Sequence, residues 1–433
     1  MPEVYTSVDA LNAAVPSADQ AAAHIDDLVH TSTFSDDEAT RDRARELIRA
    51  AAEAQGAGPG SIQNLYEAMG RGEVDGLTVP AINIRTMTYD VARAILRVAK
   101  KLDAGPILFE IARSEIGYTM QRPAEYAASV LAAAVKEGWT QPVMIQGDHF
   151  QINAAKYKAD AQAEVDAVKG LIDEAIPAGF YNIDIDTSTL VDLSFDDVNE
   201  QQRLNYEVGV ELNKYVRERE PEGVTISLGG EIGEVGKENS TPEELIAYMD
   251  GYLKLLPEGM KGISKISVQT GTSHGGVPLP DGSIAQVKVD FETLTELGRI
   301  AREKYGIGGA VQHGASTLPD ELFDKFTTCN TCEIHLATGF QNIIYDHTPQ
   351  ELLDQVYAWL REHCAGERKP DQTDEQFYYK TRKKGFGPFK KAFWNLPEDV
   401  TGPMFAALEA KFELLFRKLN VPGTRELVER YLK

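Results

Sequence analysis

Eight short runs of β-branched and apolar residues, separated by alanine-rich stretches with helical spacing, predict a (β/α)8 barrel for this 433-residue chain. The runs extend from Leu77 to Thr338, 262 residues, close to the ~250 typical of that architecture. Chemistry-bearing residues follow these runs through the whole span, as they do where a site is built at the C-terminal ends of barrel strands. A doubly wound open sheet is the competing arrangement. The barrel is preferred because eight units fill one domain without a break in composition.

In chain order, residues 1–75 read as a helical extension. SDDEATRDRARELIRAAAEAQ (35–55) offers Ser35 as an N-cap, early acids and apolar residues at helical spacing, and GAGPG (56–60) ends it. The barrel is expected over 76–365, with strands in LTVPAIN (77–83), PILFEI (106–111), PVMIQ (142–146), YNIDID (181–186), VTISLG (224–229), SKISVQT (264–270), GAVQ (309–312) and CEIHLAT (332–338). Helices are expected in YDVARAILRVAKKL (89–102), PAEYAASVLAAAVKEG (123–138) and FETLTELGRIAREKYG (291–306). Residues 366–433 form a C-terminal basic segment and helical arm: YYKTRKKGFGPFKKAF (378–393) is locally basic, and GPMFAALEAKFELLFRKLN (402–420) is amphipathic. That last helix suits packing either on the barrel or on a second subunit.

With 44 Lys and Arg against 67 Asp and Glu, the net charge is −23, which argues against a nucleic-acid or anionic-membrane surface. Three cysteines, Cys329, Cys332 and Cys364, cannot build a disulfide framework and suit a reducing cytoplasm. Neither an export signal nor a run of apolar residues long enough to span a membrane is evident.

Three histidines stand after predicted strands in short polar turns: His149 in QGDHF, His274 in TGTSHGG and His313 in VQHGAS. Any one of them reads as a capping or loop histidine. Three imidazoles converging on one cation, with positions left for water or substrate, describe a catalytic zinc site, although other divalent metals fit the same ligands. Asp148, next to His149, suits a general acid/base or an N-cap or orienting carboxylate. The fifth strand leads into GGEIGEVGKEN (229–239), with Glu231, Glu234 and Glu238 among glycines. Gly275 and Gly276 after His274, and Gly314 and Ser316 after His313, expose backbone N–H groups suited to phosphate. CNTC (329–332) and His335 have zinc-like spacing. A closed site lacks a fourth ligand nearby, and Cys332 and His335 fall on opposite faces of a strand. Structural thiols are the better reading.

At these residues the chain resembles the class II, metal-dependent fructose-bisphosphate and tagatose-bisphosphate aldolases. The motifs are Asp148-His149, Glu231-Ile232-Gly233, the Gly271-Thr272-Ser273-His274-Gly275 turn, and His313-Gly314-Ala315-Ser316. The resemblance implies zinc on His149, His274 and His313, with Glu231 and Asp186 serving an alternative metal position. It further implies that Asp148 handles the substrate C4 hydroxyl proton and that Asn83 lies near the triose moiety. A loop glutamate, Glu238 after a one-residue shift in register, returns a proton. Arg382 in FYYKTR corresponds to a C-terminal arginine that reaches phosphate from a neighbouring subunit, so a homo-oligomer is expected.

Three departures fall at substrate contacts: the loop reads Gly236-Lys237-Glu238-Asn239, Pro278 stands where a lysine is usual, and His335-Leu336-Ala337-Thr338 replaces Asn-x-Asp-Thr. His335 and Thr338 are therefore the substrate-contact candidates after the last strand. Lys237, Arg113 and the basic 380–391 stretch are candidates for offsetting the acidic chain's repulsion of a sugar bisphosphate. The implied activity is cleavage of fructose 1,6-bisphosphate within glycolysis and gluconeogenesis. Tagatose 1,6-bisphosphate or another ketose phosphate is the alternative substrate. A non-catalytic aldolase-supporting subunit is the alternative role, and a metal hydrolase a more distant one.

Overall fold

The computed structural model describes residues 2–233, 238–272, 279 and 288–432. Eight parallel strands close into a barrel in sequence order: β1 (Val79–Asn83), β2 (Leu108–Ala112), β3 (Met144–Gln151), β4 (Phe180–Asp186), β5 (Ser227–Glu231), β6 (Lys265–Val268), β7 (Ala310–Gln312) and β8 (Glu333–Leu336). Closure is made by β1, whose Ala81 is in register with Leu108 of β2 on one side and His335 of β8 on the other. Each expected run overlaps one strand, although β3 and β5 run past the expected ends to Gln151 and Glu231. Helices Thr88–Lys101, Pro123–Lys136 and Phe291–Tyr305 fall where the 3.6-residue period places them. Parallel strands covered by helices are buried on both faces, which is why they read as near-continuous apolar runs.

The N-terminal helices pack outside the barrel. Helix Glu38–Ala54 lies against Ile25–Phe34 and Pro123–Lys136. Its N-cap is Asp37, which accepts from the Thr40 N–H at 2.8 Å, and not Ser35, whose own N–H closes the preceding helix on the Thr31 carbonyl. Helix Gln63–Gly70 covers the N-terminal mouth of the barrel. Just before it the Ile62 N–H donates to Asn182 Oδ1 at the start of β4, and within it Tyr66 points into the barrel and donates to Glu333. Gly70 sits against the Gly306 carbonyl with no room for a Cβ.

The long helix Glu398–Lys418, which precedes the short last helix Arg425–Tyr431, packs on the chain's own barrel. Met404, Leu408, Phe412, Leu415 and Phe416 are buried, and Arg97–Glu409 (2.5 Å) and Lys101–Glu413 (2.7 Å) flank the contact with helix Thr88–Lys101. Apolar burial supplies most of that attachment, since exposed ion pairs are worth about 0–1 kcal/mol each. Upstream, the 3-10 turn Arg382–Gly385, which follows helix Asp374–Thr381, lies by helix Arg113–Thr119, and just beyond it Phe386 packs on Tyr345 and Phe393. This brings the basic segment to the C-terminal mouth. Among the described residues, no helix is long and apolar enough to cross a membrane.

Candidate active site

A cavity of about 490 Å³ opens at the C-terminal ends of the strands. Its inner wall carries Asp148, His149, Glu231, His313, Glu110 and His335, and its rim Arg85, Tyr379, Lys380 and Lys383. Asp148 and His149 do not follow a strand, as the sequence suggests, but lie within β3. There the register against β4 shifts between Gly147 and Phe150, and His149 has φ 42°. The left-handed backbone at a non-glycine residue, uncommon and strained, turns two consecutive side chains into one cavity where a regular strand would separate them. Gly147 permits the bulge: the Phe150 ring folds over it where a Cβ would stand.

His149 Nδ1 lies 2.7 Å from Asp186 Oδ2 and 3.3 Å from Glu231 Oε2, and its Nε2 lies 3.7 Å from Asp148 Oδ1. A carboxylate on Nδ1 fixes the ring and leaves Nε2 toward the cavity, the usual way a ligand histidine is oriented. The His313 ring lies 4.4 Å from that of His149, and its Nε2 is 3.0 Å from Ser267 Oγ. Burial opposes charge on His149, but Asp148, Glu231 and Asp186 outweigh it and raise its pKa well above the ordinary imidazole value. Burial and the neighbouring Asp186 carboxylate push Glu231 up to about 8, whereas Asp186 is held low against its own burial by hydrogen bonds from His149, Ser188 and Gln151.

Below and beside this lies a layer of charge in place of the branched aliphatics that usually fill a barrel. Lys265 is wholly buried, 2.5 Å from Glu333 Oε1, 2.9 Å from Asp184 Oδ1 and 2.7 Å from Gln146 Oε1. His335 spans the layer and the cavity: Nε2 is 2.7 Å from Glu333, and Nδ1 is 2.9 Å from Glu110 and 3.4 Å from Asp148. Burial is the largest influence throughout. Lys265 and His335 overcome it for Glu333, held down at about 2, whereas His335 does not overcome it for Glu110, which burial raises to about 7.

Of the remaining expected site residues, Asn83, Gly314, Ser316, His335 and Thr338 line the cavity. Asn83 donates to Glu115 (2.5 Å), which also accepts from Arg85 (2.8 Å). His274, Gly275, Gly276 and Lys237 lie outside the described residues. Glu238 is exposed and is not on the cavity wall. Arg382 is not on the cavity wall of its own chain. Its guanidinium donates to Asn342 Oδ1 (2.7 Å) and stacks between Tyr345 and Tyr379, 4.7 and 4.9 Å from their centroids. Arg113 is engaged by Glu164 and the Gln151 carbonyl. Cys329 and Cys332 are buried free thiols, and among the described residues neither joins His335 in a cluster.

The sequence reading missed Glu110, Asp184, Lys265 and Glu333, and it also missed Arg85 and Glu115. The signal for the first four was present: each is an ionisable residue inside an apolar strand run, and such residues are almost never buried unpaired.

Asp148, His149 and His313 each place a donor atom within 4.8 Å of the other two, and His149, Asp186 and Glu231 do the same. Imidazole and carboxylate donors together suit a divalent metal. The arrangement defines a (β/α)8 enzyme with a metal-competent cavity at its catalytic face. The sequence matches the family model "Fructose-bisphosphate aldolase class-II" over residues 63–393, and the chain belongs to that family. It is thus of the aldolase type, in a family that acts on sugar phosphates and is generally metal-dependent.

Solved structures of similar fold include a fructuronate-tagaturonate epimerase from Cohnella laeviribosi (TM-score 0.59, 12% identity, covering 87% of this chain and 85% of that one). Another is a probable tagatose 6 phosphate kinase from Sinorhizobium meliloti (TM-score 0.56, 16% identity, covering 79% of this chain and 97% of that one). At these identities the likeness is one of fold. No curated protein matches the chain by sequence.

Proposed function

We propose that this chain is a metal-dependent aldolase that cleaves fructose 1,6-bisphosphate reversibly to dihydroxyacetone phosphate and glyceraldehyde 3-phosphate. The observation that carries the reading is one cavity in which Asp148 stands against two imidazoles, His149 and His313, with cationic side chains across its rim. His149, His313 and the expected third ligand His274 would hold the metal, with Asp186 and Glu231 keeping the His149 ring in place. A bound divalent ion supplies Lewis-acid polarisation of the ketone and offsets the charge that develops on the three-carbon fragment.

Asp148 takes the C4 hydroxyl proton as the C3–C4 bond breaks. C4 becomes the aldehyde carbon, and the bonding pair stays on the C3 side. A proton must then return to C3. Glu110 is on the cavity wall and keeps its proton to about pH 7, so it suits that return better than the exposed Glu238. Asn83, Ser316 and Thr338 line the space where the substrate hydroxyls and near phosphate are expected.

The test is Asp148→Asn assayed for triose phosphate release, with bound metal quantified. A fall in kcat of about 10²–10⁴ with metal retained supports the role of Asp148 as base. Activity within twofold of the parent removes it. Parallel assays on tagatose 1,6-bisphosphate compare the C4 epimers.

A further inference from the structure

Helix Gln63–Gly70 closes the end of the barrel opposite the cavity, the face where residues ordinarily serve stability and not chemistry. Its seat is fixed at both ends. Before its first turn the Ile62 N–H is held by Asn182 Oδ1 at 2.9 Å, and Asn182 Nδ2 reaches the Gly60 and Ile145 carbonyls at 3.1 and 3.0 Å. At its far end Gly70 abuts the Gly306 carbonyl, and the Tyr66 side chain packs 3.0 Å from where a Cβ on Gly308 would stand. A helix so seated holds Tyr66 in one place.

Tyr66 is wholly buried and donates to Oε2 of Glu333, the first residue of β8. Burial and the Glu333 charge keep its hydroxyl protonated. The other oxygen of that carboxylate, Oε1, faces Lys265 at 2.5 Å, Gln146 Nε2 at 2.8 Å and His335 Nε2 at 2.7 Å. Among the described residues Tyr66 is the only hydrogen-bond donor to Oε2, so it sets how the carboxylate plane is turned and keeps Oε1 toward His335.

Glu333 and His335 are two residues apart on β8 and therefore face the same side of it. His335 is where the two ends of the barrel meet. Its Nδ1 lies 2.9 Å from Glu110 Oε2 and 3.4 Å from Asp148 Oδ1, and its ring lies 3.9 Å from that of His313. One imidazole thus touches the proposed base, the proposed proton donor and an expected metal ligand. A carboxylate against the far nitrogen of such a ring fixes its orientation. Here that carboxylate is in turn fixed by a helix at the other mouth.

We propose that Tyr66 is a positioning residue for catalysis: through Glu333 it sets the ring of His335, and through that ring the placing of Asp148 and Glu110. This rests on the aldolase reading above, in which those two carboxyl groups move the protons. It gives the helix that closes the barrel a bearing on the rate.

The test, on the full chain, is Tyr66→Phe, which deletes one hydroxyl and keeps the ring. With metal content equal to the parent's, kcat for fructose 1,6-bisphosphate should fall about 10-fold and KM stay within about twofold, because the loss falls on groups that act in the transition state. Leu65→Ala, buried in the same helix, loosens the seat and leaves the hydroxyl in place. It should lower the unfolding midpoint and leave kcat within about twofold. With isotopically labelled histidine, the ring-nitrogen resonances of His335, assigned by their loss in His335→Gln, should shift in Tyr66→Phe and stay in place in Leu65→Ala. An unchanged kcat with unshifted resonances in Tyr66→Phe, or an equal fall in kcat in both variants, would overturn the proposal. Resonances that shift in Tyr66→Phe, in a chain that cleaves no ketose bisphosphate, would uphold the link to His335 and remove the aldolase reading instead.

Discussion

Lys265→Met is expected to cost the fold about 3–5 kcal/mol, the usual consequence of removing one member of a buried ionic group. The lysine is 1% exposed and touches Glu333, Asp184 and Gln146, so its loss leaves two buried carboxylates facing an apolar side chain. For a chain of 433 residues the unfolding entropy is about 0.9 kcal/mol/K, so the midpoint should fall by about 3–6 °C in a calorimetric scan.

The cost should also depend on pH. In the parent, Glu333 is held at about 2, below its unfolded value, and so contributes stability above that unfolded value which is lost as pH falls toward 2. In the variant, burial without the lysine raises Glu333 above its unfolded value and pushes Asp184, which burial already raises in the parent, higher still, so their native forms are favoured at low pH and penalised as pH rises. The difference between parent and variant should therefore widen from about pH 4 to pH 8. Adding Glu333→Gln to the variant should recover part of the loss, because it removes one uncompensated charge. A cost below about 1 kcal/mol at pH 7.5, or one independent of pH, would refute the claim that this layer is a mutually neutralised group.

Other expectations concern single side chains. Glu110→Gln should lower kcat by about 10²-fold or more while Glu238→Gln leaves it within about twofold; the reverse pattern in steady-state cleavage assays would return the proton-transfer role to the loop glutamate. His30 lies in helix Ile25–Phe34, with its ring 5.4 Å from Trp394 and 5.9 Å from Phe34. Burial depresses its pKa, so the unfolded chain binds the proton more readily and stability should fall as pH drops below about 6.5. His30→Leu should flatten that part of the pH–stability curve measured by urea unfolding, and an unchanged slope would contradict the assignment.

The barrel was legible because buried parallel strands leave apolar runs and their crossover helices leave a 3.6-residue period. The site was legible in part. His313 follows a strand, and its neighbours Gly314 and Ser316 line the cavity. The bulge that turns Asp148 and His149 together was not, since it depends on Phe150 folding over Gly147, a contact with no periodic signature. Nor could sequence show that Lys383, and not Arg382, lines the chain's own cavity. They are adjacent, and the difference comes from tyrosines that take one guanidinium out of reach. Helix Glu398–Lys418 is amphipathic whichever surface it covers, and its partner became evident only through its contact with helix Thr88–Lys101.

The most direct test of the central claim is triose phosphate release from fructose 1,6-bisphosphate by the purified chain, measured as isolated, after chelation, and after zinc is restored. The account predicts release that disappears with the chelator and returns with about one zinc per chain. No release from the metal-loaded chain, or release undiminished once metal has been removed, would contradict it.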